Sequence, residues 1–186
     1  EQAYRRALEV RPDYGPAVLR LGLVLLEDGR PAEAQEAFQL AARLIPGDPD
    51  GLIGQAAATL SAGAADSIPR AQQLVDQALA LKPDYALAHV VAGVVAMRRG
   101  DAPAARQALE RAVALEPSLY QAHAYLSAVE LAQGQGPAAL KSAARSLELS
   151  PASGLAREAL ATAHFFAGDL GKAAQESEAA LEARPN

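Results

Sequence analysis

Cysteine and tryptophan are absent from this 186-residue chain, methionine occurs once, and aromatic residues make up only 4%. Without cysteine there can be no disulfide, no thiolate metal ligand and no cysteine nucleophile, although reducing and oxidising compartments both tolerate such a chain. Neither sign of charge dominates: 17 basic and 22 acidic residues are interleaved for a net charge of −5, which argues against a polyanion-binding surface and against nucleic acid as a partner. No apolar run reaches the roughly 18 residues a membrane span requires, and nothing resembles a signal peptide. What the chain has in quantity is alanine, roughly a quarter of all residues. Such a composition suits thin, closely packed helices, and no strand is expected.

Proline recurs in one short phrase, at Pro12, Pro46, Pro83, Pro117, Pro151 and Pro185, at intervals of 34, 37, 34, 34 and 34 residues. Glycine follows each of the first five by 17 residues, at Gly29, Gly63, Gly100, Gly134 and Gly168. A fixed period in this range marks a chain built by stacking one unit. Glycine closes one amphipathic helix, and a proline soon afterwards (Pro31, Pro69, Pro103, Pro137) fits the first turn of the next. The unit is therefore a helix hairpin. First helices are expected over 15–28, 49–62, 86–99, 120–133 and 154–167, and second helices over 31–45, 69–82, 103–116, 137–150 and 171–184. Residues 1–12 carry an orphan second helix, and the repeats run 13–46, 47–83, 84–117, 118–151 and 152–186 in a single solenoid. The one 37-residue interval comes from 64–68, which are expected to stretch the turn after Gly63 as a tolerated insertion. The chain starts inside the periodic pattern at Glu1 and reads as a fragment.

In this register Leu21, Gly22, Leu25, Ala34, Phe38, Ala41 and Pro46, and again Ala92, Gly93, Ala105, Leu109, Ala112 and Pro117, resemble the hallmark spacing of the tetratricopeptide repeat family. The resemblance implies an all-α fold, a right-handed α-α superhelical solenoid of helix hairpins, with five complete repeats and a half repeat. Small residues let paired helices approach while Leu21 and Phe38 fill the space beside them. The family's early aromatic is replaced by Val18, Leu52, His89, His123 and Arg157. Ser127, Ala143 and Ser146, then Ala161, His164 and Ser177, weaken the pattern in the fourth and fifth repeats, where looser packing is expected.

The resemblance further implies that first helices line a concave groove that takes a peptide or helix of a partner protein. Its positions fall on Leu19, Leu23 and Leu26; Ile53, Ala57 and Leu60; Val90, Val94 and Met97; Ala124, Ala128 and Leu131; and Glu158, Thr162 and Phe165. Spacings of four and three put each trio on one helical face. The strip is almost wholly apolar, so a hydrophobic or amphipathic segment is the expected ligand, unless neighbouring helices already cover the strip as core. The lysine and asparagine that grip a terminal carboxylate in some family members are missing here, and Asn186 is the only asparagine, which disfavours both chaperone-tail and asparagine-ladder recognition.

Other features have structural readings. His89 and His123, one repeat apart, are expected to pack in place of the aromatic rather than bind metal; His164 likewise. Arg98 and Arg99 complement a helix C-terminus or contact an acidic partner. Tyr14 and Tyr85 are expected to pack repeat junctions, with Asp13 and Asp84 as helix caps; Asp48 and Asp50 also read as capping groups. No phosphate loop, His-Glu metal spacing or nucleophile constellation is present, so no enzyme, cofactor or metal is expected. The expected function is a protein-interaction scaffold; alternatives are a self-associating or spacer module of a larger assembly, or the substrate-recruiting region of a larger enzyme or secretion protein. Arginine and alanine usage suggests a bacterial source, with cytoplasm and periplasm both open.

Overall fold

The computed structural model describes residues 1–182. The last proline, Pro185, together with Arg184 and Asn186, lies outside the described residues. Those described form eleven α-helices and no strands: α1 (Gln2–Val10), α2 (Gly15–Glu27), α3 (Pro31–Leu44), α4 (Asp50–Ala62), α5 (Ser67–Leu81), α6 (Ala86–Arg98), α7 (Ala102–Leu115), α8 (Tyr120–Ala132), α9 (Gly136–Leu149), α10 (Gly154–Phe166) and α11 (Leu170–Glu182). They divide into two compact units, Glu1–Val91 and Ala92 onward, with the division inside α6.

The glycine punctuation has a backbone cause. Gly29, Gly63, Gly100, Gly134 and Gly168 all have φ between 68° and 82°, a left-handed conformation that costs glycine least. The residue after four of them then donates its N–H to a carbonyl five residues back. These bonds run from Arg30 to Leu25 (2.9 Å), Asp101 to Ala96 (2.9 Å), Gln135 to Glu130 (2.8 Å) and Asp169 to His164 (3.0 Å). This closure satisfies trailing helix carbonyls and sets where the chain turns. Proline occupies the first or second position of α2, α3, α7 and α9, where its missing N–H is harmless.

The three extra residues do not all lengthen the turn after Gly63. Ser67 and Ile68 join α5, which at 15 residues is the longest helix among those described. Pro69 therefore sits third in the helix. A proline is tolerated there because the first four N–H groups have no intrahelical acceptor.

In the first unit α2 packs on α3, α3 on α4, α4 on α5, and α2 also on α4. The first helix α4 thus contacts both members of the preceding pair, α2 and α3. Phe38, 1% exposed, is the wedge between them. A Cβ on Gly22 of α2 would lie 2.8 Å from its ring, and one on Gly54 of α4 would lie 2.5 Å from its Cγ and nearer still to the ring edge. Gly51 meets backbone: its Cβ would lie 2.8 Å from the Ala42 nitrogen.

The second unit repeats the arrangement, with α8 on α7 and α9, and α10 on α8, α9 and α11. Leu109 takes the wedge position under Gly93, whose Cβ would lie 2.6 Å from Leu109 Cγ. Ser146, at a family alanine position, donates to the Tyr120 carbonyl at 2.9 Å and so buries its hydroxyl at little cost. Ser127 Oγ and Glu130 Oε2 are buried without a hydrogen-bond partner. Arg106 of α7 donates to the Gln133 side chain at 2.8 Å and to Gln135 at 2.6 Å, tying α7 to the turn between α8 and α9.

Candidate interaction surface

The groove positions inferred from sequence fall into two classes. In the first unit Leu23 is 41% exposed, while Leu19 and Leu26 on the same helix are half-buried against Leu21, Leu25 and Phe38. Ile53 and Leu60 are buried. They belong to the core, because α4 lies against α2 and against the second helices α3 and α5. Val90, in the first-unit part of α6, is buried as well. These three residues cannot offer side chains to a ligand on the surface of this structure.

In the second unit Val94, Met97 and Leu131 are half-buried. Phe165 stands out from the surface at 60% exposure and meets Phe166 edge to face, with ring centroids 5.8 Å apart. Ala124 is buried and Ala128 half-buried, whereas Glu158 and Thr162 are exposed. Of the large apolar residues expected in the groove, those that keep exposed or half-exposed side chains are Leu19, Leu23 and Leu26 on α2 and, in the second unit, Val94, Met97, Leu131 and Phe165.

Among the polar groups around these faces, Tyr125 was not singled out by the sequence. Tyr125 of α8 lies near charges of opposite sign: burial raises its phenol pKa most, Tyr120 and Glu158 raise it further, and Arg98 pulls it down. Arg98 and Arg99 are exposed at the end of α6. Tyr14 and Tyr85 do sit at repeat junctions, but each stacks under the cation before its proline: Arg11 over Tyr14 at 5.5 Å and Lys82 over Tyr85 at 5.0 Å. The Tyr85 hydroxyl also donates to the Asp50 carboxylate.

Capping differs from the sequence expectation. Tyr14, not Asp13, is the residue before α2, and it makes no side-chain cap. Pro49 precedes α4; Asp48 instead accepts the Asp50 N–H at 2.9 Å. Side-chain caps come from Asp101, accepting from Ala104 at 3.1 Å, and Ser153, accepting from Ala156 at 3.3 Å. Asp48, one residue ahead of the capping position, thus still serves a first-turn N–H of α4, as expected, whereas Asp13 at the equivalent place before α2 is not its cap.

The two histidines share one geometry. His89 Nε2 lies 2.8 Å from the Pro83 carbonyl and His123 Nε2 lies 3.0 Å from the Pro117 carbonyl. A carbonyl only accepts, so Nε2 carries the proton in both. Each imidazole clips a first helix to the proline turn six residues earlier. Arg157, at the same position in the last repeat, pairs instead with Glu176 at 3.2 Å.

The tetratricopeptide repeat family model matches residues 1–49 and 56–120. No curated protein matches the sequence. Among solved structures, TTC0263 of Thermus thermophilus, a thermophilic TPR protein, is 26% identical with a TM-score of 0.77 over 92% of each chain. A chain of the APC/C hetero-tetramer Cut9–Hcn1 gives 21% identity and a TM-score of 0.78; this sequence is covered completely and spans 36% of that chain. YrrB, described as a TPR protein with an unusual peptide-binding site, gives 17% and 0.54, over 99% of this chain and 93% of that one. With helix hairpins closed by a left-handed glycine in every repeat, and a family model that covers more than half of its length, the chain belongs to the tetratricopeptide repeat family.

Proposed function

We propose that this chain is a protein-interaction scaffold that holds an apolar or amphipathic segment of a partner against its first helices. The family binds protein partners, and the observation that carries the finer reading is the exposure of large apolar side chains at registered first-helix positions. Leu23 leads in the first unit and Phe165 in the second, flanked by half-buried Leu19 and Leu26, and by Val94, Met97 and Leu131. The driving force is removal of this apolar surface from water on helices already ordered, so little conformational entropy is lost by the scaffold. That YrrB has a peptide-binding site on a similar fold is consistent with this reading. Among the described residues no helix is long and apolar enough to cross a membrane.

Leu23→Glu and Phe165→Glu test the proposal, because both side chains are exposed and their replacement leaves the core intact. Partner capture by the purified chain is expected to fall at least tenfold with unchanged helicity by circular dichroism. Capture that survives both substitutions removes the first-helix faces from consideration.

A further inference from the structure

At Arg30, Asp101, Gln135 and Asp169, the residue after the turn glycine closes the helix behind it through its N–H. Its side chain is then free to go one of two ways. The short aspartates turn forward and cap the next helix: Asp101 accepts from the Ala104 N–H at 3.1 Å and Asp169 from the Lys172 N–H at 3.2 Å. The longer Arg30 and Gln135 cap nothing. They reach back to the second helix of the repeat before. Arg30 Nη1 donates to Oε2 of Glu1, at the start of α1, at 2.9 Å, and Gln135 Oε1 accepts from Arg106 Nη2 of α7 at 2.6 Å. Arg30 also pairs with Glu33, and Arg106 also binds Gln133 and Glu110.

The two backward contacts occupy one place in the repeat. Glu1 and Arg106 both stand 11 residues before the proline that follows their helix, Pro12 and Pro117, and in each pair the partners are 29 residues apart. Donor and acceptor are exchanged between the pairs, so they share a position and not a residue type. At the two other junctions inside a unit the same register sets Gln35 against Ala64 and Leu140 against Asp169. Neither the Ala64 methyl nor the Leu140 side chain can form a hydrogen bond, so neither junction can be tied in this way. The tied junctions are those with the thinner packing: α1 on α2 and α7 on α8 meet less extensively than α3 on α4 or α9 on α10.

We propose that the residue after the turn glycine is a selector between two devices. A short acceptor caps its own second helix, whereas a long polar side chain latches the turn to the preceding repeat, and the latches stand where apolar packing between repeats is thin. The latched first helices are α2 and α8, with Leu26 and Leu131 close ahead of the latch. The latch operates whether or not these faces hold a partner.

Amide hydrogen exchange followed by NMR on the whole chain tests both halves. Glu1→Ala and Arg30→Ala should each speed exchange in α1 about two- to fivefold, the range of an exposed ion pair. The double variant should be no faster than Glu1→Ala alone, because each substitution already breaks the contact. In the second unit Arg106→Ala should speed the Gly134 N–H by a similar factor, and Gln135→Ser by part of it, since Gln133 stays bound. Gln135→Ser should also slow the Ala138 N–H about threefold or more, as the serine now caps α9. Asp169→Ala should speed the Lys172 N–H and leave α9 unaltered. All five wild-type side chains are exposed or half-buried, so helicity by circular dichroism is expected to persist. Effects in α1 that add in the double variant, an Ala138 N–H indifferent to Gln135→Ser, or α9 amides that speed up in Asp169→Ala as much as Lys172 does would overturn the proposal.

Discussion

Replacing Gly54 by alanine should destabilise the first unit although alanine is the better helix former. Gly54 lies inside α4, where the exchange by itself would favour folding by about 1 kcal/mol. The added methyl, however, would enter the Phe38 ring, 2.5 Å from Cγ. The ring has nowhere to retreat, since Gly22 leaves only enough room for a hydrogen on its other side. Overpacking of this kind costs about 1–3 kcal/mol, and a ring pinned on both faces belongs at the upper end, giving a net loss of about 2 kcal/mol. For a chain of this size that lowers Tm by roughly 4–8 °C. Gly171→Ala is the control: nothing but Asp169 Oδ1, at 3.9 Å, comes near its Cβ, so the helix preference should act alone. Thermal and urea unfolding of wild type, Gly54→Ala, Gly171→Ala and Phe38→Leu/Gly54→Ala settle the matter. The double variant should recover about 1 kcal/mol relative to additivity with Phe38→Leu, because the shorter side chain vacates the clash. Gly54→Ala as stable as Gly171→Ala would refute the wedge.

Further outcomes follow from the same geometry. Glu130→Leu should stabilise the chain by about 1–2 kcal/mol in urea unfolding, because it replaces a buried carboxylate with an unpartnered oxygen by the residue type that Leu25 supplies at the same position of the first whole repeat. His89→Ala should cost about 0.5–1.5 kcal/mol, the loss of the hydrogen bond to the Pro83 carbonyl, measured in the same assay. Arg30 lowers the Glu33 carboxyl pKa, and Arg5 followed by Arg30 lowers that of Glu1. Carboxylates depressed in the folded state stabilise it above their unfolded value near 4.5, and that contribution disappears as pH falls through the folded value. Arg30→Ala should therefore raise the Glu33 titration midpoint seen by NMR, and salt should do the same to a smaller extent, because these groups are exposed.

Helix order and boundaries were legible to within about two residues because glycine and proline act locally. The exception is instructive. Pro69 reads as a helix start, yet α5 begins at Ser67, since a proline within the first turn does not prevent a helix from starting before it. Facing was legible and covering was not. Periodicity places Ile53 and Leu60 on the same face of α4 as Leu23 on α2, but only packing of whole helices decides which of these is buried. The histidines read as packing residues because nothing in their spacing points to a carbonyl six residues earlier. Likewise the Tyr85–Asp50 bond and the Arg106 contacts join residues 27–35 apart, a separation at which sequence pattern specifies no partner.

The measurement closest to the central claim is quantitative affinity capture by wild type, Leu23→Glu and Leu81→Glu. Leu81 ends a second helix and is 50% exposed, so its substitution matches Leu23→Glu in charge and exposure on another surface. The first-helix account predicts proteins bound by wild type and by Leu81→Glu that Leu23→Glu fails to retain. Equal retention by all three, or equal loss in both variants, would contradict it.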